Sequence, residues 1–190
     1  MDTTDFWNLV EAARTDSSGS EEAVAQSLVD RLAASSKLEI LEYHHEFERL
    51  HAAIYRWDVW SAAYLIGGGC SDDSFIDFRA GLIAQGRDWY ERAAACPDTL
   101  ADHPDVIAAA RAGRDEALFN EPFNYAAASA YMRIAGISTG SVFYDDYREF
   151  HHRQPRPEPT DMGEDFSFED HAQMRARLPR LASLYLDPRS

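Results

Sequence analysis

Three consecutive glycines, Gly67, Gly68 and Gly69, stand between two apolar-periodic stretches, and no other feature restricts the fold as tightly. The run around them, WDVWSAAYLIGGGCSDDSFIDFRAGLIAQGR from Trp57 to Arg87, holds two of the four tryptophans and one of the two cysteines. Glycine takes positive φ without a Cβ clash, so one of the three can close a helix. Ser71, Asp72 and Asp73 follow with short side-chain oxygens suited to capping free N–H groups, and the two acids complement the positive end of the next helix. Phe75, Phe78 and Leu82 then recur at steps of three and four, with Ile76 and Ile83 alongside, until Gly86 stops the run. The stretch is expected to form helix, glycine corner, helix, with the rest of the chain packed around that hairpin.

Upstream, the pattern predicts a helix from Thr4, its cap, to Arg14 with Phe6, Leu9, Val10 and Ala13 inward, and a second over Glu21 to Ala34. Ser36-Lys37-Leu38-Glu39 is a capping box. From it Ile40, Tyr43, Phe47, Leu50, Ile54, Trp57, Ser61 and Tyr64 form one helical stripe, long enough to bend or break near Tyr55 to Asp58. Downstream, Trp89, Tyr90 and Ala93 mark a short helix, Asp98 begins a connector, and Pro104 opens a helix that Gly113 closes. Asp115–Asn120 and Phe123–Ala135 read as helical, broken at Pro122 and ended by Gly136. Ser141–Phe150 reads as helix or as an isolated short strand. Pro155, Pro157 and Pro159 make a linker by composition. Ser167 to Asp170 caps a last helix to about Leu178, and Leu181, Leu184 and Leu186 dock it. The expected fold is an all-α, single-domain helical bundle: a core over 1–150, a proline-rich linker over 151–166 and a C-terminal helical segment over 167–190.

The stretch RWDVWSAAYLIGGGCSDDSFIDFRAGLIAQGR resembles the actinobacterial family catalogued as domain of unknown function 4240, and TTDFWNLVEAAR and LPRLASLYL resemble that family's two ends. The chain departs from the family pattern at Gly81, where an aromatic is usual, and this thins one helix face. The resemblance implies a family and a host group. It carries no activity, cofactor or catalytic residue onto these positions.

Charge narrows the partners. With 33 acids against 18 bases the net charge is −15, which argues against nucleic acid and acidic membrane surfaces and fits a free cytosolic protein or one that meets a basic protein partner. Hydrophobic residues make up 45% of the chain, enough for a real core rather than an acidic disordered tail. Cys70 and Cys96 are too few for a disulfide framework or a zinc knuckle. Met1 to Asp5 lacks the basic region of a signal peptide, and no apolar run approaches a membrane span, so a cytoplasmic protein is expected.

Four constellations invite a chemical reading. The glycine corner feeds a helix N-terminus, but its spacing matches neither common phosphate loop, and Asp72 and Asp73 would repel an anion there. A cation or a hydrogen-bond donor suits it better. Asp73 and Asp77 share a helix face with Arg79 close by, and Trp60 and Tyr64 would wall a pocket if left open. Cys70 precedes a helix start that would stabilise a thiolate, yet the adjacent acids oppose it, and a small residue packed in a tight corner is the simpler expectation. His44, Glu48 and His51 lie on one helix face. Glu48-x-x-His51 and Glu149-x-x-His152 have the spacing of carboxylate-bridged di-metal sites. Glu48 and His51 flank the inward pair Phe47 and Leu50, however, so a solvated outer face is predicted.

The candidate ligand-binding residues are therefore Trp60, Tyr64, Cys70, Asp72, Asp73, Asp77 and Arg79, with no catalytic set, metal or other cofactor assigned. Two functions are carried forward. One is an acidic binding or regulatory module of the inhibitor, immunity or adaptor type. The other is an enzyme or small-ligand protein with a pocket at the Gly67–Asp73 corner, metal-assisted if the acids take part.

Overall fold

The computed structural model describes residues 1–17, 20–154 and 161–186. The first helix, α1 (Thr3–Asp16), is capped by Asp2 rather than Thr4, because Asp2 and Asp5 satisfy each other's backbone N–H groups reciprocally. Ser20 caps α2 (Glu21–Leu32), and the Ser36–Glu39 capping box starts α3 (Lys37–Ala53) as its spacing predicts. The long stripe does break at Tyr55, where the chain turns into α4 (Trp57–Ile66). Then come α5 (Asp72–Ala84), α6 (Arg87–Ala95), a 3-10 turn over Pro97–Asp102 and α7 (Pro104–Arg111). The chain ends in α8 (Glu121–Asn124), α9 (Ala126–Ala135), α10 (Ser141–Arg153), α11 (His171–Arg177) and α12 (Pro179–Tyr185). No strand occurs among the described residues, and the fold is an all-α, single-domain bundle.

One apolar core runs through the bundle. Phe6, Tyr43, Phe75, Phe78, Phe123 and Phe143 are among its largest fully enclosed side chains, drawn from α1, α3, α5, α8 and α10. At ~25 cal/mol per Å² and ~150–250 Å² each, such aromatics stabilise the fold by several kcal/mol apiece. Near the centre, Gly81 allows an unusually close approach. A Cβ there would lie 1.7 Å from the Leu118 carbonyl oxygen, so the 112–120 segment presses directly on α5. No side chain could stand at this position without displacing that backbone.

That segment overturns one expectation. Asp115–Asn120 is not helical: Glu116 and Leu118 have φ of 64° and 70°. Their backbone bonds go elsewhere, Glu116 N–H to the Ile66 carbonyl and Asn120 N–H to the Asp77 carbonyl. The segment straps α4 and α5 together, and tertiary bonds outweigh its helical propensity. Pro122 does not break a helix either. It sits in the first turn of α8, where its missing N–H costs nothing, and the break falls at Tyr125.

The helix-or-strand ambiguity at Ser141–Phe150 resolves as helix, and α10 extends to Arg153, three residues past the expected boundary at 150. Pro155, Pro157 and Pro159 lie outside the described residues. The C-terminal helices dock through Leu181, fully buried, and through Asp98, whose carboxylate accepts the Arg180 and Leu181 N–H groups at 2.9–3.2 Å. A side chain 82 residues upstream thus caps α12.

Candidate functional site

At the glycine corner the local sequence accounts for itself. Gly67 closes α4, and Gly68 and Gly69 turn the chain with φ of 62° and 123°. The Ser71 hydroxyl caps α5 by accepting the Ser74 N–H at 3.2 Å. Trp60 stacks on Phe75 with centroids 4.7 Å apart and planes 12° apart, and its indole N–H donates to the Cys70 carbonyl at 3.0 Å. Phe168, from the segment before α11, packs on Trp60 and Tyr64 with centroids 6.3 and 5.5 Å away, and of the two only Tyr64 borders a cavity among the described residues.

The polar residues of the corner are equally accounted for. Burial pushes the Cys70 thiol up to about 12, which leaves it protonated at neutral pH. Asp72 and Asp73 stand in solvent in the first turn of α5. Asp77 accepts the Asn124 side-chain N–H at 2.9 Å and fastens α8. Burial, then the Glu121 charge, raises its carboxyl above the ordinary range. Beside Tyr64, Gly68 and Asp115 lies a cavity of about 240 Å³. That is below the ~300 Å³ at which small-molecule sites begin.

A larger concavity opens on the other side of α5. A groove of about 990 Å³ runs between α3, α5, α10 and the α8–α9 junction. His51 and Tyr55 border it from α3 and the α3–α4 break, Ile76 and Arg79 from α5, Tyr125 from the junction and Tyr144 from α10. Six large hydrophobic side chains are exposed among the described residues, and four of them (Tyr55, Ile76, Tyr125 and Tyr144) line this groove. Exposed apolar area concentrated in one concave place marks a binding surface more often than a stability defect.

Arg79 forms its floor. The side chain is only 7% exposed, and its Cζ lies 4.8 and 5.0 Å from the ring centroids of Tyr55 and Phe75. Nη1 donates to the His51 carbonyl at 2.9 Å and to His51 Nδ1 at 3.0 Å. The imidazole can accept that second bond because its other nitrogen, Nε2, donates to the Ile76 carbonyl at 3.0 Å, which fixes the tautomer. Burial, reinforced by the adjacent Arg79 cation, pushes His51 down to about 4, so the ring is neutral. Burial also pushes the Arg79 guanidinium down to about 10, and it remains a cation at neutral pH.

No carboxylate among the described residues forms an ion pair with Arg79, and its Nε has no hydrogen-bond partner. Glu48 stands at the groove's edge, 3.7 Å from His44 Nε2, and Arg49 is held by Glu46 at 2.8 Å. The buried guanidinium is thus answered by the His51 ring and carbonyl, by the faces of Tyr55 and Phe75, and by the Glu48 charge, which acts against the effect of burial.

Of the seven residues singled out from the sequence, Arg79 alone lines this groove. Trp60, Tyr64, Cys70, Asp72 and Asp73 belong to the corner, and Asp77 ties α5 to α8. The predicted solvated face of α3 is corrected at its histidines, since His44 and His51 are 7% and 8% exposed and face the groove. The missed signal is width: His44 beside Tyr43 and His51 beside Leu50 extend the inward stripe sideways by one residue. Among the described residues no three His, Cys, Asp or Glu side chains are grouped to hold a metal ion. Glu149 pairs with Arg153, and His51 is committed to Ile76 and Arg79.

Over residues 1–133 the chain matches the family described as "Protein of unknown function (DUF4240)". That span is more than half of the chain, and the protein belongs to this family. No curated protein and no solved structure matches it. The matched span includes the corner, His51 and Arg79 and ends before α10, so Tyr144 of the opposite groove wall lies beyond it.

Proposed function

We propose that this is a small-ligand-binding helical module whose ligand seats in the groove between α3, α5 and α10. One observation carries the reading: a volume of about 990 Å³, within the range of small-molecule sites, is lined by four exposed large apolar side chains over a buried cation. The groove replaces the Gly67–Asp73 corner as the place for a pocket. A fragment screen by ligand-observed NMR, followed by mapping of hits on labelled tyrosines, tests it. Hits are expected to shift Tyr125 and Tyr144. Hits confined to Trp60 and Tyr64, or none at all, would remove the groove as a ligand site.

The charge of −15 favours a second reading, an acidic binding or regulatory module of the inhibitor, immunity or adaptor type that meets a basic protein. Such a partner's association must weaken as salt rises, and association indifferent to salt contradicts it. Either role is proposed for a cytoplasmic bacterial protein without a nucleic-acid or membrane partner. No helix among the described residues is long and apolar enough to cross a membrane. The division into a 1–150 core, a 151–166 linker and a docked 167–190 segment belongs to the same proposal.

A further inference from the structure

Resting on the groove reading above, we infer that the ligand carries a small methylated ammonium ion, held against the rings of Tyr125 and Tyr144 beside Glu48. The charges sort the lining of the groove into two groups. In the first, the cations are matched within the protein. Arg79 is buried, the Tyr55 ring lies 4.8 Å from its Cζ, and the Glu48 charge acts on it. Arg49 is bound through both Nε and Nη2 to Glu46. Neither arginine calls for an anion from outside.

The second group has the opposite character. Tyr125, at the α8–α9 junction, and Tyr144, on α10, are both exposed. Burial raises the Tyr144 hydroxyl above its ordinary range, and Tyr125 and Glu48 add to the rise, so these three groups stand near one another. Glu48 is the one acidic side chain lining the groove among the described residues, and it too is exposed. Its field reaches Arg79 as well as Tyr144, which offsets the buried cation where a second one would settle. Aromatic faces carry negative charge density and attract cations, and a carboxylate beside them strengthens the pull.

The scarcity of oxygen acceptors selects the kind of cation. A primary ammonium has three N–H donors to satisfy. The groove offers one carboxylate, which already stands 3.7 Å from His44 Nε2 and acts on Arg79. An ammonium whose hydrogens are replaced by methyl groups has no such need. It requires ring faces and a negative field, and its methyl groups gain from the exposed Ile76 on α5. The net charge of −15 draws such a cation toward the protein from a distance.

The probes are choline and its uncharged isostere 3,3-dimethyl-1-butanol, with ethanolamine as a third arm. Each is titrated into the full chain at about 0.15 M salt, which screens the diffuse attraction of an acidic surface. Binding is followed by the NMR shifts of labelled tyrosine and tryptophan rings. Choline is expected to shift Tyr125 and Tyr144 and to bind roughly threefold to thirtyfold more tightly than the isostere. Ethanolamine should bind more weakly than choline. Tyr144→Leu should remove most of the preference for choline, and Tyr144→Phe, which keeps the ring, should retain it.

Choline binding no tighter than the isostere, or not at all, overturns the cation inference, while the groove reading stands or falls by its own fragment screen. Ethanolamine binding more tightly than choline overturns the methylated class. Choline that shifts Trp60 and Tyr64 instead of Tyr125 and Tyr144 overturns the assigned place. Because the comparison of choline with its isostere is made in the unaltered protein, it decides the matter even if a variant fails to fold.

Discussion

The two sides of α5 solve opposite problems. On the corner side, the enclosed groups are answered by neighbours and the acids by water: Ser71 by Ser74, the Trp60 indole by the Cys70 carbonyl, the Trp60 ring by Phe75 and Phe168, and Asp72 and Asp73 by solvent. On the groove side, Arg79 is enclosed and charged with only the Glu48 carboxylate acting on it and no ion pair among the described residues, and four large apolar side chains around it stay in water. The corner holds the residues that look chemical in the sequence: glycines, a cysteine and paired acids. Folding uses them to turn the chain. The groove is assembled from residues that look ordinary, and what distinguishes it is a buried cation beneath exposed aromatic side chains.

Both regions hang on α5, so the severest test of the comparison is to displace that helix. Gly81→Ala would put a methyl group 1.7 Å from the Leu118 carbonyl oxygen, where backbone cannot yield without moving the whole strap. We expect a loss of about 4 kcal/mol in urea denaturation, with corner and groove probes lost in one transition. A loss under about 1 kcal/mol would mean that the strap moves freely and does not hold the two sides together.

Acid separates the two sides next. His51 is neutral in the folded protein down to about 4, whereas its ordinary value is 6.5. Between those values the unfolded chain binds the extra proton, so stability is intact above 6.5, falls as pH drops through the window and levels off near 4. The contribution is about 3 kcal/mol. It is read as the difference between the wild type and His51→Gln, in which the opposing slopes of Glu21 and Asp77 cancel. Identical acid slopes in the two proteins would show that the ring is not held neutral by its surroundings.

On the corner side, Trp60→Ala removes the stack on Phe75 and the bond to the Cys70 carbonyl. The expected cost is about 2 kcal/mol, less than for an enclosed tryptophan because the ring is half-buried. Groove ligands should bind this variant as they bind the wild type. Asp73→Asn is the mildest change, within about 0.5 kcal/mol in stability and silent in ligand binding, because the carboxylate stands in solvent. If Asp73→Asn weakened ligand binding severalfold, the acid corner would be restored as the site.

Much of the fold was legible because local rules set it. The Ser36–Glu39 box, the break near Tyr55, Gly86 and Gly136 as stops and the docking of Leu181 follow from capping, periodicity and turn chemistry. Legibility failed wherever distant contacts took over. Asp115–Asn120 has the composition of a helix and becomes a strap because Ile66 and Asp77 take its N–H groups. His51 carries the spacing of a surface residue and is enclosed because Arg79 and the Ile76 carbonyl arrive from 25 to 28 residues away. The site depends on four segments meeting, α3, α5, the α8–α9 junction and α10, which lie far apart in the sequence.

The most direct measurement is the unfolding free energy of Arg79→Met against the wild type, both without ligand. If Arg79 is kept for a ligand at the expense of stability, an apolar side chain of similar length should be neutral or stabilising, by up to about 1 kcal/mol. A loss of about 3 kcal/mol or more would show that the guanidinium holds the fold together through His51, and the groove would then lose its buried cation as the mark of a ligand site.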